Sequence, residues 1–263
     1  ALTAHGIRGF RVTRSAAERG VFCGMGVCQD CLVEVDGVPG RRACMTVVDR
    51  PLSIRRQRHG AALPPVSGAL PPATIEELAV ERPELLVIGA GPGGLSAAIA
   101  ARKAGAEVVV MDERRSPGGQ YFKPVAVEGA DIAPPDAQHR EGLALVAQAR
   151  AAGVVIRSGV SVWGAFQRLE FAATSDTGET RRYLPRAVVV ATGAYERAWP
   201  VPGWELPGVM TTGAAQTLWR TARRLPGRRV LIAGNGPLNL QLAAELHGGG
   251  AEVVAVVEAA GPA

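Results

Sequence analysis

Four cysteines carry the first chemistry in this 263-residue chain: Cys23, Cys28, Cys31 and Cys44, in the text VFCGMGVCQDCLVEVDGVPGRRACMT. Their spacing, C-x4-C-x2-C-x12-C, gathers soft thiolates of the kind that ligate iron–sulfur clusters or zinc. Gly24 and Gly26 lie between the first two, where backbone wrapping a cluster must turn N–H groups toward sulfur. The second chemical stretch is Gly89-Ala90-Gly91-Pro92-Gly93-Gly94, which carries the pattern G-x-G-x-x-G. In that pattern the first glycine makes a tight turn and the second lets backbone approach a pyrophosphate. The third permits close packing of helix on strand. Asp112, 18 residues after Gly94, stands where a carboxylate accepts hydrogen bonds from ribose hydroxyls, and the adjacent Glu113 faces a different way from the strand end.

Both sets need elements to hold them. Leu85–Ile88 is a short run rich in branched residues and reads as a buried parallel strand. Leu95–Ala104 is Ala-rich and apolar on nearly all faces, as a packed crossover helix would be, and Gly105 stands where a helix ends. Val108–Met111 is a second buried strand that closes on Asp112, completing a βαβ unit with the fingerprint in its proper place. The helix N-terminus adds unpaired N–H groups and the positive end of its dipole. For the cysteines, Leu32–Val35 alternates as a strand, Asp36-Gly37 is a turn signal, and Arg42–Thr46 returns as a strand with Cys44 on it. Such a hairpin delivers the fourth thiolate back to the loop.

A disulfide framework would need an oxidising compartment, which nothing else here suggests. Structural zinc sites usually pair two C-x2-C knuckles, and only Cys28/Cys31 forms one. Free buried cysteines do not fall at these intervals. Ligand count and spacing favour a [2Fe-2S] cluster, the first three cysteines matching the plant-type ferredoxin pattern. The 12-residue gap before Cys44 is shorter than in photosynthetic ferredoxins. A ferredoxin-like β-grasp domain normally begins with a hairpin upstream of the cluster loop. Here 22 residues precede Cys23, and Leu2–Ile7 reads as the end of a helix. The expectation is a domain without that hairpin, or with another segment in its place.

The length suggests about two domains, and 47% hydrophobic residues suffice for packed cores. No apolar run is long enough to span a membrane, and the opening ALTAHGIRGFR is not a secretory signal. The expected location is cytoplasmic. Net charge is +5, from 29 basic residues of which only Lys103 and Lys123 are lysines. The arginines are scattered and aromatics sparse, so nucleic-acid binding is a poor reading.

Along the chain, residues 1–58 form the cluster domain and residues 59–82 a linker with prolines at 64, 65, 71 and 72, semi-rigid by composition. Thr74–Glu77 suits one helical turn within it. Residues 83–225 form a nucleotide-binding domain and 226–263 begin a second. Loop is expected from Gln120 to Pro135, a helix over Gln138–Ala152 and a strand over Val154–Arg157. Antiparallel strands are expected over Val160–Phe171 and Arg182–Tyr183, about the turn Ser175–Gly178. Arg228–Glu258 repeats the βαβ pattern with Gly234-x-Gly236, but Asn239 takes the third glycine position, and Glu258 ends the second strand as a ribose acid would. The sequence leaves NAD(P) binding there open.

Gly118-Gly119-Gln120 after the acid, and Ala191-Thr192-Gly193 behind the strand Ala187–Val190, resemble the GGQ and ATG motifs of two-dinucleotide-domain flavoproteins. That resemblance implies FAD, with Gly119, Gln120, Ala191, Thr192 and Gly193 closing around it and Val162 touching adenine through its backbone. The wider text, VFCGMGVCQDCLVEVDG, IGAGPGGL, DE…PGGQ, ATGAYER and LPGVMTTGAAQ, covers nearly the whole chain. It resembles the FAD-bearing α subunits of opine oxidase, heterotetrameric sarcosine oxidase, hydroxyproline dehydrogenase and hydrogen cyanide synthase. The fold implied is α/β, a Rossmann-like flavoprotein with two dinucleotide-binding domains and an N-terminal ferredoxin-like α+β domain. Compared with that family the text stops within the second nucleotide domain.

The function implied is electron transfer within an amine or imino-acid dehydrogenase or oxidase, whose substrate-oxidising β subunit is of the FAD-dependent amine oxidase type. One alternative is an NAD(P)H-dependent reductase passing electrons through the cluster to an external acceptor. Another is a ferredoxin-type carrier on a flavoprotein scaffold, against which the retained GGQ and ATG argue. His5, His59, His139 and His247 read as surface or loop residues, the four tryptophans as packing residues, and Tyr195-Glu196-Arg197 as a loop salt link. No nucleophile arrangement is apparent. Pro207–Met210 and the small-residue helix after it are apolar for a connecting segment; packing against further residues of the protein itself is one explanation, and the family resemblance suggests another, that part of this surface meets the substrate-oxidising subunit.

Overall fold

A computed structural model describes residues 1–57, 78–125, 136–234 and 236–258. The expected turn at Thr74–Glu77, His59 and most of the linker and of the loop before Pro135 therefore lie outside the described residues.

The chain opens with a 3-10 turn over Leu2–His5, then strands β1 (Arg11–Val12) and β2 (Glu18–Arg19). Next come the cysteine loop, β3 (Leu32–Val35), β4 (Val38–Arg42) and β5 (Ile54–Arg56). The middle of the chain carries β6 (Val80–Glu81), β7 (Leu85–Ile88), α1 (Pro92–Lys103), β8 (Val108–Asp112), α2 (Gly119–Phe122) and α3 (Ala137–Ala151). It continues through β9 (Val155–Ser158), β10 (Val160–Phe166), β11 (Glu170–Ser175), β12 (Thr180–Tyr183) and β13 (Ala187–Val190). The last described elements are α4 (Thr212–Ala222), β14 (Arg229–Ala233), α5 (Pro237–Gly248) and β15 (Glu252–Val257). No helix among the described residues is long and apolar enough to cross a membrane.

Packing divides the chain into two compact units, Ala1–Ala69 with Tyr195–Ala263, and Leu70–Ala194. In the second, four parallel strands run in the order β13-β7-β8-β9. All five residues of β8 are buried, because both faces of this sheet are covered. On one face Val87, Leu95, Ala98, Val110 and Val146 join the sheet to α1 and α3. On the other, Leu86, Val109 and Met111 meet Phe171, Ala173 and Tyr183 of an antiparallel meander. Pro92 at the first turn favours the start of α1, and Asp136 caps α3 by accepting from the His139 N–H at 2.8 Å.

Several elements differ from the sequence expectation. Val80–Glu81, read as the end of the linker, pairs in parallel with β12. The strand expected over Val160–Phe171 breaks at Gln167–Leu169, where Arg168 and Leu169 adopt positive φ and turn the chain back. Residues 195–225 pack in the unit that holds the cysteines. A short hairpin, β1–β2, does precede the cysteine loop.

In the first unit, β4-β3-β5 form an antiparallel sheet, with Asp36 and Gly37 both at positive φ in the tight turn between β3 and β4. Phe10, Cys31, Val33 and Val35 form its core. The parallel pair β14–β15 is covered by α4 and α5 through Ala215, Ile232, Leu242 and Leu246. The cysteine-bearing segment is fastened to this part. Phe22 lies 4.8 Å from the Trp204 ring, the Thr211 N–H donates to the Phe22 carbonyl at 2.9 Å, and Arg8 donates to the Pro226 carbonyl at 2.6 Å.

Candidate functional site

Two separate sites emerge. In the first, all four cysteines are free thiols, Cys23 and Cys31 buried and Cys28 and Cys44 half-buried. They form two pairs. The Cys28 thiol donates to Cys23 and holds its pKa down at about 5, burial opposing, and the same bond raises Cys28. Cys44 likewise donates to Cys31, which lies at about 7, while Cys44 is raised. The Met25 and Cys28 N–H groups both point at Cys23 Sγ from 3.5 Å. Cys44 rides on the 3-10 turn Ala43–Met45 and not on a returning strand as expected, although the Ala43 N–H to Cys31 carbonyl bond of 3.0 Å still brings the last two cysteines together. Among the described residues no three His, Cys, Asp or Glu side chains gather as a single metal ion requires. Four thiols at this spacing fit the four thiolate ligands of a two-iron cluster. Between Cys28 and Cys31, buried Asp30 accepts from Arg11 at 2.7 Å, anchoring the loop to β1.

The second site is the loop between β7 and α1. Gly89 has φ +106, and a Cβ there would lie 2.3 Å from the Ala191 carbonyl oxygen. The Ala191 N–H in turn donates to Ile88 at 2.8 Å, so the ATG segment is seated on the fingerprint. At Gly94 a Cβ would lie 1.9 Å from the Gly89 oxygen, which is the close helix–strand packing the third glycine serves. A Cβ on Gly91 would meet only the Gly119 Cα at 3.9 Å, and one on Gly93 nothing within 4 Å. That open face of backbone at a helix N-terminus fits a pyrophosphate. Gly119, with φ +65, comes so near that a Cβ on it would lie 2.8 Å from the Gly91 Cα. The Gly118 N–H donates to Ala90 at 2.8 Å. The GGQ and ATG segments thus both close on the fingerprint, with Gln120 half-buried in α2 and Gly193 at φ +70.

Asp112 ends β8 and is buried. Its carboxylate accepts from the Ala90 N–H at 2.6 Å and from the Arg114 N–H at 2.8 Å, so it is also a strut for the loop. Burial raises its pKa, opposed by those two N–H groups. Each oxygen keeps a second lone pair for a hydroxyl. Glu113 is exposed. Val162 packs on the sheet face beside Met111, and the β10–β11 register breaks between it and Gly164.

The second fingerprint repeats this only in part. Gly234 has φ +117, and a Cβ on Gly236 would meet nothing within 4 Å. Asn239 is buried, however, and its side chain donates to the Ala233 carbonyl at 3.4 Å and accepts from the Thr212 hydroxyl at 2.5 Å. Glu258 is exposed just beyond β15.

Other residues moved from their expected places. His139 is buried, with Nδ1 2.8 Å from Asp136. Trp163 and Trp199 are exposed, whereas Trp204 packs on Phe22. Glu196 caps the Gly213 N–H at 2.8 Å, and Arg197 lies over Trp199. Within Pro207–Met210, Met210 packs against the α4–α5 core while Val209 stays exposed.

Residues 1–59 match a 2Fe-2S iron-sulfur cluster binding domain. An opine oxidase subunit of Agrobacterium tumefaciens (strain Ach5) is 38% identical over 187 residues, 67% of this chain and 37% of that protein. The alpha subunit of sarcosine oxidase from Rhizobium meliloti (strain 1021) is 33% identical over 190 residues, 66% of this chain and 19% of that protein. The chain thus spans well under half the length of these curated relatives. The crystal structure of L-proline dehydrogenase from P. horikoshii has the same fold, with a TM-score of 0.76 at 21% identity over 98% of this chain and 48% of that one. Residues 83–262 match the pyridine nucleotide-disulphide oxidoreductase family, and the chain belongs to that family.

Proposed function

We propose that this chain is the electron-transferring part of the α subunit of an amine or imino-acid dehydrogenase or oxidase. FAD lies in the β7–α1 loop and a [2Fe-2S] cluster on the four cysteines. The observation that carries this is the presence, in one chain, of a four-cysteine loop whose N–H groups point at sulfur and a dinucleotide loop closed by GGQ and ATG. When bound, a flavin takes two electrons as hydride and a cluster passes them on singly. The chain's residues supply position. Gly91 and Gly93 leave room for pyrophosphate, Asp112 holds the loop and offers ribose an acceptor, and Gly193 admits backbone near the ring. Glu113, Gln120 and the Val162 backbone line the remainder. The relatives are named as subunits, which supports a partner. We place amine oxidation in a β subunit, with a secondary amine or imino acid of the opine, sarcosine, glycine or hydroxyproline type as substrate.

The test mixes full-length protein with candidate amines anaerobically, with and without the co-encoded β subunit. Amine should bleach the flavin and reduce the cluster only when β is present, and the two chains should co-elute on gel filtration. Full amine turnover by the isolated α chain would refute the division of labour. NADH bleaching in place of amine would favour a second reading, an NAD(P)H-dependent reductase, which Gly234, Gly236 and Glu258 support. Two irons and two sulfides per chain are expected, and Cys28→Ser should remove both while leaving flavin bound. Tightly bound zinc without sulfide would sink the cluster.

A further inference from the structure

Arg42 is the last residue of β4, paired with Leu32 across the hairpin and two residues before Cys44. Its Nη1 donates to the Gly26 carbonyl oxygen at 2.8 Å, reaching from the hairpin that carries Cys31 and Cys44 to the loop that carries Cys23 and Cys28. Gly26 makes this approach possible. It has φ +79, and a Cβ there would lie 3.1 Å from Arg42 Nη1 and 2.9 Å from Met45 Cγ. The carbonyl that Arg42 holds lies between Met25 and Cys28, whose N–H groups both reach Cys23 Sγ at 3.5 Å. One contact at Gly26 thus ties a guanidinium to the loop that wraps Cys23 sulfur.

We propose that Arg42 is a positioning residue for the cluster, raising its reduction potential by holding the Gly26 carbonyl so that the Met25 and Cys28 N–H groups stay aimed at Cys23 sulfur. A donor held in line with its acceptor makes the stronger hydrogen bond. Stronger N–H···S bonds and nearby positive charge both favour the reduced cluster, which carries one more electron. Arg42 itself is exposed, so solvent screens its direct field, and its hold on the loop is the route that matters. The inference rests on the cluster reading. Absence of sulfide from the wild-type protein would defeat that reading separately.

The experiment is an EPR-monitored redox titration of full-length, cluster-loaded protein as wild type, Arg42→Lys, Arg42→Gln and Arg42→Met. At the wild-type midpoint, the ratio of reduced to oxidised cluster should fall about tenfold in Arg42→Met, a 59 mV shift for one electron. Arg42→Gln, which keeps a neutral donor, should fall part of the way, and Arg42→Lys should stay close to wild type. An unchanged midpoint in Arg42→Met, or an equal shift in Arg42→Lys and Arg42→Met, would overturn the proposal. If Arg42→Met takes up no cluster, Arg42→Gln decides, and a wild-type midpoint there overturns it. Cluster loss in Arg42→Lys as well would reduce Arg42 to a structural staple.

Discussion

In the loop after β7 the third fingerprint residue is Gly94, where any side chain would run into the Gly89 carbonyl. In the loop after β14 the same position holds Asn239, whose buried amide bridges the strand end at Ala233 to Thr212 of α4. The first two glycines behave alike in both loops: Gly89 and Gly234 share a positive φ, and Gly91 and Gly236 precede a proline-started helix. The third residue therefore decides what the loop rests on. With glycine, helix packs directly on strand; with asparagine, a polar side chain fills the gap and ties the loop to a neighbouring helix.

The harshest way to break this comparison is to write the second loop into the first. Gly94→Asn should lose all bound flavin and destabilise the 70–194 unit by about 3 kcal/mol or more, since overpacking a tight contact reaches that scale. Flavin content and a thermal melt read this, and retained flavin would show that the glycine is not required for packing. Gly91→Val is gentler on the fold but not on the ligand. The added group meets little beyond the Gly119 Cα, so flavin should be lost while the melting temperature of the flavin-free protein holds. The matched change Gly236→Val should leave flavin content untouched.

Asp112→Ala comes next, weakening FAD by about 1–3 kcal/mol as measured by flavin dissociation. It also carries a pH signature. Burial raises the folded Asp112 pKa above 3.8, so the folded state holds its proton longer than the unfolded chain. Stability of the flavin-free protein then declines as pH rises through the window just above 3.8, and Asp112→Ala should flatten that slope. The smallest effect belongs to Asn239→Ala, about 1 kcal/mol for the lost hydrogen bonds. Thr212→Val should show a non-additive cycle with it; strict additivity would mean that the bridge contributes nothing.

Sequence pattern reached the parts of the fold set by periodicity. The β7–α1–β8 unit, its glycines and the second βαβ pattern were legible because strand, turn and helix each have a local signature there. Cys44, expected on a returning strand, lies on a 3-10 turn, since a 3-10 turn and a strand end look alike over three residues. The break at Gln167–Leu169 was not legible, because Arg168 and Leu169 at positive φ contradict their own propensities and are held by the meander. Nor was the pairing of Val80–Glu81 with β12, which depends on residues a hundred positions away. Arg42 gave no signal among so many arginines. Its meaning lies in one contact with Gly26, and spacing does not encode contacts.

The cysteine-bearing segment shares its compact unit with residues after Tyr195, although the whole of 70–194 is translated between them. During synthesis at roughly 5–20 residues per second, the cysteine loop therefore emerges on the order of ten seconds before α4. Through that interval Gly24 is uncovered; afterwards Ala214 lies against it so closely that even a methyl group would not fit between them. Iron and sulfide delivered to the nascent chain would meet a ligand loop still open on that side. Delivery to the finished chain would have to come from another side, past the half-buried Cys28 and Cys44.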